Sequence, residues 1–185
     1  MNTIKCASAL AMCAVIAGHA GAAPKPLAPA PAFKDIEKWL NSPPLTMEGL
    51  RGKVVLVDFW TYDCINCIRT LPYIAKWHKA YKDQGLVVVG VHTPEYAFER
   101  NTENVRAAMQ RFGITYPVAQ DNRYGTWEAY GNRYWPAVYL IDKQGRITWL
   151  RRVMRSLPLA TTMDEVEALL PWNLHSHDLA SETVP

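Results

Sequence analysis

The sequence predicts an α/β fold: a central mixed β-sheet with helices on both faces, an N-terminal extension and an inserted helix. Lys53 to Trp60 and Leu86 to His92 are apolar nearly throughout, as central parallel strands covered on both faces would be. A helical pattern lies between them, and strand, helix, strand in that order implies a right-handed crossover. Two further apolar runs around a polar turn near residue 143 add an antiparallel hairpin.

The elements follow in chain order. Lys5 precedes a largely apolar stretch, Ala7 to Ala17, and then the small residues Gly18, Ala20, Gly21, Ala22 and Ala23. This is the layout of a secretory signal over residues 1–22, cleaved near Ala22; an uncleaved anchor is the alternative. A lipid anchor on Cys13 is disfavoured, because Met12 stands where a small residue is expected. Residues 23–32 hold prolines 24, 26, 29 and 31 and are expected to form an extended tether without a fold. From residue 33 to 171 the pattern is that of one domain. Phe33, Ile36, Trp39 and Leu40 recur at helical spacing until Asn41-Ser42-Pro43-Pro44, which predicts a short helix.

Strand 53–60 comes next, then a helix from Cys64 to about Lys82 interrupted by Pro72, then strand 86–92. Val105, Ala108, Met109 and Phe112 place one apolar face on a helix that ends at Gly113. Ala137 to Ile141 and Ile147 to Arg151, around Asp142-Lys143-Gln144-Gly145, are expected to form an antiparallel edge. Thr162 with Glu165 gives a capping-box start to a last helix carrying Met163, Val166, Leu169 and Leu170 and closed by Pro171. Residues 172–185 show no periodicity and are expected to be a loose tail.

Cys64-Ile65-Asn66-Cys67 opens the first long helix directly after a strand. A two-residue gap there brings both sulfurs within bonding reach and leaves the first facing the helix N-terminus, whose partial positive charge favours the thiolate. Disulfide exchange is the chemistry this suggests. The same spacing supplies half of many zinc sites, but no second Cys pair and no H-x(3-5)-H follows. A structural staple is the plainer use in an oxidising compartment, yet closing two residues removes little chain entropy. The formal net charge of +3 is too small to argue for nucleic acid or an anionic membrane. The aromatic stretch Tyr124, Trp127, Tyr130 and Tyr134, flanked by Arg123 and Arg133, is accordingly assigned to core and groove wall rather than to single-stranded nucleic acid.

Val-Asp-Phe-Trp-x-x-x-Cys-x-x-Cys-x-x-x-x-Pro, over Asp58 to Pro72, resembles the active-site segment of the thioredoxin superfamily. Together with Gly90-Val91-His92-Thr93-Pro94-Glu95 and Tyr134-Trp135-Pro136-Ala137, it is similar to exported redoxins of the TlpA and DipZ C-terminal type. The resemblance runs from about Phe33 to Arg151 and implies a thioredoxin fold. It weakens beyond Arg151, where relatives usually have a Gly-rich turn and a helix.

By that resemblance Cys64 is the exposed nucleophile and Cys67 the more buried resolving thiol, the two forming a redox-active disulfide. Asp58 matches a buried carboxylate that exchanges a proton with the resolving cysteine, and burial would raise its pKa toward a useful value. Pro136 matches the family's cis-proline opposite the Cys pair. Trp135 and Trp60 are assigned with it to substrate binding, with core packing as the plainer use of Trp135. Asp63 beside Cys64 disfavours the thiolate, and with it a strongly oxidising site. Arg69 and His78, further along the helix, are the cations that could offset it. His92 is read as a structural histidine, and His175 and His177 are assigned nothing.

The expected protein is a periplasmic, monomeric thiol-disulfide oxidoreductase acting on protein disulfides, as a reductase. Relatives imply a place in cytochrome c maturation or metal-site assembly, and a membrane thiol donor of the CcdA or DsbD kind. The sulfurs carry the electrons, so no cofactor or metal is required. Two alternatives stand beside it: a thiol peroxidase using Cys64, and a non-catalytic binding module with a structural disulfide. The first lacks the full Thr/Pro-x-x-x-Thr/Ser-x-x-Cys pattern before Cys64.

Overall fold

A computed structural model describes residues 26–152. The expected signal, the helix from Thr162 and the tail lie outside the described residues. Seven strands form one sheet: β1 (Ala28–Pro29), β2 (Lys38–Leu40), β3 (Val54–Trp60), β4 (Leu86–His92), β5 (Val118–Gln120), β6 (Ala137–Ile141) and β7 (Arg146–Arg152). Their spatial order is β1-β7-β6-β3-β4-β5-β2. β3, β4 and β5 run parallel, while β6, β7, β1 and β2 each pair antiparallel. Three α-helices, α1 (Ile65–Tyr81), α2 (Thr102–Arg111) and α3 (Gly125–Ala129), complete the described fold.

β3 is central and buried along its whole length. Its alternate residues feed two cores, as strand geometry requires. Val54, Leu56 and Trp60 pack with Cys67, Leu71, Ile74 and Trp77 of α1 and Val105 and Met109 of α2. Val55, Val57 and Phe59 pack on the opposite face with Met47, Leu50, Trp127 and Tyr130. Helices therefore cover both faces, and the two ends of the chain's apolar runs meet at the carboxyl edge of β3 and β4.

Four expectations are corrected. Residues 33–40 do not form a helix; Lys38, Trp39 and Leu40 pair with Gln120, Ala119 and Val118 instead. Asp35 takes φ 52°, which breaks any helical run, and the exposed edge of β5 supplies hydrogen bonds that a lone short helix lacks. The tether is not wholly without structure either. Ala28 and Pro29 pair with Ile147 and Arg146, flanked by bonds from Leu27 N–H to Ile147 O and from Ala30 N–H to Gly145 O. Proline fits there because an edge strand turns alternate amides away from its partner. The hairpin is consequently not the edge of the sheet: β6 is internal beside β3, and β1 covers β7.

Pro72 does not interrupt α1, which runs unbroken through it. Pro72 is exposed, so water can reach the carbonyl it leaves unpaired, while Leu71, Ile74 and Trp77 hold both halves on the core. At the other end of α2, Gly113 adopts φ 66° and Ile114 N–H bonds back to Met109 O at 2.8 Å, closing the helix as its glycine suggested.

Candidate active site

Cys64 is the N-cap of α1, and its Sγ accepts the Cys67 N–H at 3.2 Å. The helix begins there because β3 ends at Trp60 and the chain turns over three residues. Cys64 is half-buried and Cys67 is fully buried, and the two are joined as a disulfide across 5.2 Å between Cα atoms. An attacking group from solvent can reach only the first sulfur. Positive charge at the helix N-terminus and the Cys67 amide both stabilise a thiolate on it.

Cys64 opens onto a groove of about 730 Å³ whose other walls carry Tyr96, Phe98, Tyr134 and Trp135, with Asp63, Glu95 and Arg133 at its rim. The Trp135–Pro136 peptide bond is cis, as the resemblance implies. Pro136 is buried, and Trp135 is half-buried with its indole N–H donating to Thr93 O at 3.0 Å. The Trp135 ring also packs 4.0 Å from Trp127, so the side chain both borders the groove and packs into the core. Trp60 corrects the sequence reading. It is completely buried, edge-on to His92 at 5.1 Å, and supports the site from beneath rather than lining the groove.

Asp58 is 1% exposed and lies on the face of β3 that α1 covers, between Leu56 and Trp60. Burial pushes its carboxyl up to about 7, and neither oxygen meets a hydrogen-bond donor among the described residues. Gly90 is its partner in β4; a methyl group there would come within 3.0 Å of Trp60 Nε1 and 3.1 Å of the Tyr116 ring. Glycine is thus what lets Trp60 and Tyr116 close over the carboxyl. The Tyr116 hydroxyl is itself held well above the usual phenol range by burial and by the neighbouring Asp58.

His92 is fully buried, and burial lowers its pKa to about 3, which agrees with a structural, neutral imidazole. It stacks on Tyr62 at 5.7 Å and shares a contact of 3.4 Å with Thr61 Oγ1. Arg69 is exposed, while His78 packs against Tyr116 at 5.6 Å, four turns of α1 beyond Cys64. At that distance His78 offers Asp63 no compensation.

Two buried acids went unassigned in the sequence. Asp121 accepts Trp127 N–H at 2.8 Å, Thr126 N–H at 3.2 Å and the Thr93 hydroxyl at 3.3 Å, which fixes the carbonyl that Trp135 donates to. Burial raises it to about 6. Glu99 is completely buried behind the loop before Cys64. Among the described residues no cluster of three or more His, Cys, Asp or Glu could hold a metal ion.

The Redoxin family pattern matches residues 25–170. The protein DipZ of Mycobacterium tuberculosis is 54% identical over 125 residues, covering 66% of this chain and 18% of DipZ. The thiol-disulfide oxidoreductase YkuV of Bacillus subtilis is 32% identical over 120 residues, 64% of this chain and 80% of YkuV. The chain therefore spans about a fifth of DipZ but most of YkuV. Among solved structures, a thiol-disulfide isomerase from Corynebacterium glutamicum superposes with a TM-score of 0.65 at 26% identity, covering 80% of this chain and 98% of that one. The architecture is the thioredoxin-like one that the motifs imply.

Proposed function

The chain belongs to the Redoxin family, and from that premise we propose that it is a thiol-disulfide oxidoreductase exchanging its Cys64–Cys67 pair with protein disulfides, as a reductase in the periplasm. The observation that carries this is the unequal pair: Cys64 half-exposed at a helix N-terminus on an open groove, Cys67 buried behind it. In the reduced protein the Cys64 thiolate attacks one sulfur of the substrate disulfide, forming a mixed disulfide and releasing the other sulfur as a thiolate. Asp58 then takes the Cys67 proton. The Cys67 thiolate attacks Cys64, closing the internal disulfide and freeing the second substrate thiol. Two electrons have passed to the substrate, and a thiol donor must return them.

Asp63 and Glu95 support the reducing direction, since carboxylates near Cys64 disfavour the thiolate and so favour the disulfide form of this protein. A membrane thiol donor of the CcdA or DsbD kind would resupply the electrons. The apolar segment before Ala22 supports export, and a cytochrome c or metal-site thiol is the substrate class that export of a reductase suits. Among the described residues no helix is long and apolar enough to cross a membrane.

Trapping tests the reading. Cys67→Ser, reduced and mixed with a disulfide-bonded protein, is expected to accumulate a mixed disulfide through Cys64 that non-reducing electrophoresis and mass spectrometry detect. Cys64→Ser is expected to form none. Equal adduct yields from both variants would contradict the assignment of nucleophile and resolving thiol.

A further inference from the structure

The turn that leads into Cys64 and the loop that carries Tyr96 and Phe98 face each other across the groove, and one buried side chain ties them together. Glu99 Oε1 accepts the Thr61 hydroxyl at 2.5 Å and the Asp63 N–H at 3.2 Å, both from the Cys64 turn. Its Oε2 accepts the N–H groups of Glu95 at 2.6 Å and Tyr96 at 2.9 Å, both from the opposite loop. Each oxygen serves one wall. Taking a carboxylate wholly out of water is costly, and charge-assisted bonds to fixed donors are what offset that cost.

The strands themselves have no need of it. β3 and β4 are already laddered to their last pair, Trp60 and His92, and Glu99 acts just beyond, where the two chains diverge. Further bonds fasten the same loop: Tyr62 Oη donates to Phe98 O at 3.0 Å, and Asn104 Nδ2 donates to it at 3.4 Å. The side chains so presented are not core residues. Tyr96 and Phe98 stack at 5.6 Å with 4° between their planes, and they are 51% and 53% exposed. An exposed stacked pair beside a nucleophile gains apolar contact only when something is bound there.

Resting on the oxidoreductase reading, we propose that Glu99 is a positioning residue that fixes the Tyr96–Phe98 wall relative to Cys64, and so selects substrates large enough to reach that wall. A polypeptide flanking the target disulfide engages it; a small organic disulfide reaches Cys64 without it. Glu99→Gln keeps the side chain's shape, but its one oxygen can hold only one loop, and its amide N–H groups then face the other loop's donors.

The test compares reduction of insulin with reduction of hydroxyethyl disulfide by the same protein, turned over by excess dithiothreitol as the thiol donor with the uncatalysed rates subtracted. Glu99→Gln is expected to lose about tenfold more in kcat/KM toward insulin than toward hydroxyethyl disulfide, chiefly through KM. Tyr96→Ala with Phe98→Ala is expected to reproduce that selective loss with Glu99 intact. Equal losses on both substrates, or none on insulin, would overturn the proposal. Should Glu99→Gln fail to fold, amide exchange in the wild-type protein decides: the Asp63, Glu95 and Tyr96 amides are expected to be protected, and free exchange at either loop overturns the clasp. A wild-type protein inert toward both disulfides would instead bring down the oxidoreductase reading and this role with it.

Discussion

Asp58 sits in a strand whose other six side chains are all apolar, and its burial makes protonation a stability event. With a pKa of about 7 against an ordinary 3.8, the folded protein holds this proton more tightly than the unfolded chain does. Stability from this group therefore falls as pH rises from about 4 to 7, and the whole penalty is present above pH 7. Asp121, raised to about 6, acts in the same direction over a narrower window. Asp58→Asn removes the larger of the two penalties. Its stabilising effect in denaturant unfolding is expected to be roughly 2–3 kcal/mol greater at pH 8.5 than at pH 5. A pH-independent difference would mean that Asp58 is not a buried acid. In the proposed mechanism Asp58 takes the Cys67 proton only when ionised, so reduction of protein disulfides is expected to rise with pH through about 7, and to lose that inflection in the variant.

Elements that bury a full face were legible in the sequence, and elements fixed by a distant partner were not. The apolar runs located β3, β4 and β6, and the Gly113 stop located the end of α2, because each follows from local pattern. The segment that ends in β2 carries the Phe33, Ile36, Trp39 and Leu40 that suit a helix, and only the edge of β5, some eighty residues away, selects the strand at Lys38–Leu40. β5 and α3 span three and five residues, too few for a period to show. The site divides in the same way. Cys64 and Cys67 declared themselves by spacing, and the cis bond before Pro136 by resemblance, whereas Trp60 looked like groove wall because its burial depends on the other strands. Glu99 stood among exposed neighbours, Tyr96, Ala97, Phe98 and Arg100, and its bond back to the Tyr96 N–H comes without the Ser or Thr that marks a capping box in sequence. One local signal went unread, the N-cap of α2. Asn101 Oδ1 caps α2 by accepting the N–H groups of Glu103 at 2.8 Å and Asn104 at 3.2 Å, so Asn101→Ala is expected to cost about 1 kcal/mol in denaturant unfolding. An unchanged midpoint would show that the cap contributes nothing.

Across the whole molecule, the parallel centre of the sheet brings the carboxyl ends of β3 and β4 together, and the site forms there between the Cys64 turn, the 95–100 loop and the cis-proline segment. Of the antiparallel strands, β6 begins directly after the cis-proline and pairs with β3 at Asp58 through Val138, while β7, β1 and β2 complete the sheet farther out. Both sulfurs are set by the start of α1, the first half-exposed at its N-cap and the second buried in its first turn, while the buried acid is set by β3, so the redox property belongs to the assembly. Its direct measure is the equilibrium potential of the Cys64–Cys67 pair, obtained by thiol trapping across a dithiothreitol or glutathione series. Reversible two-electron interconversion with a potential near thioredoxin's, about −270 mV, is the predicted result for a reductase whose nucleophile sits among carboxylates. A value near −120 mV would contradict the reducing direction, and a pair that never interconverts would contradict the catalytic role itself.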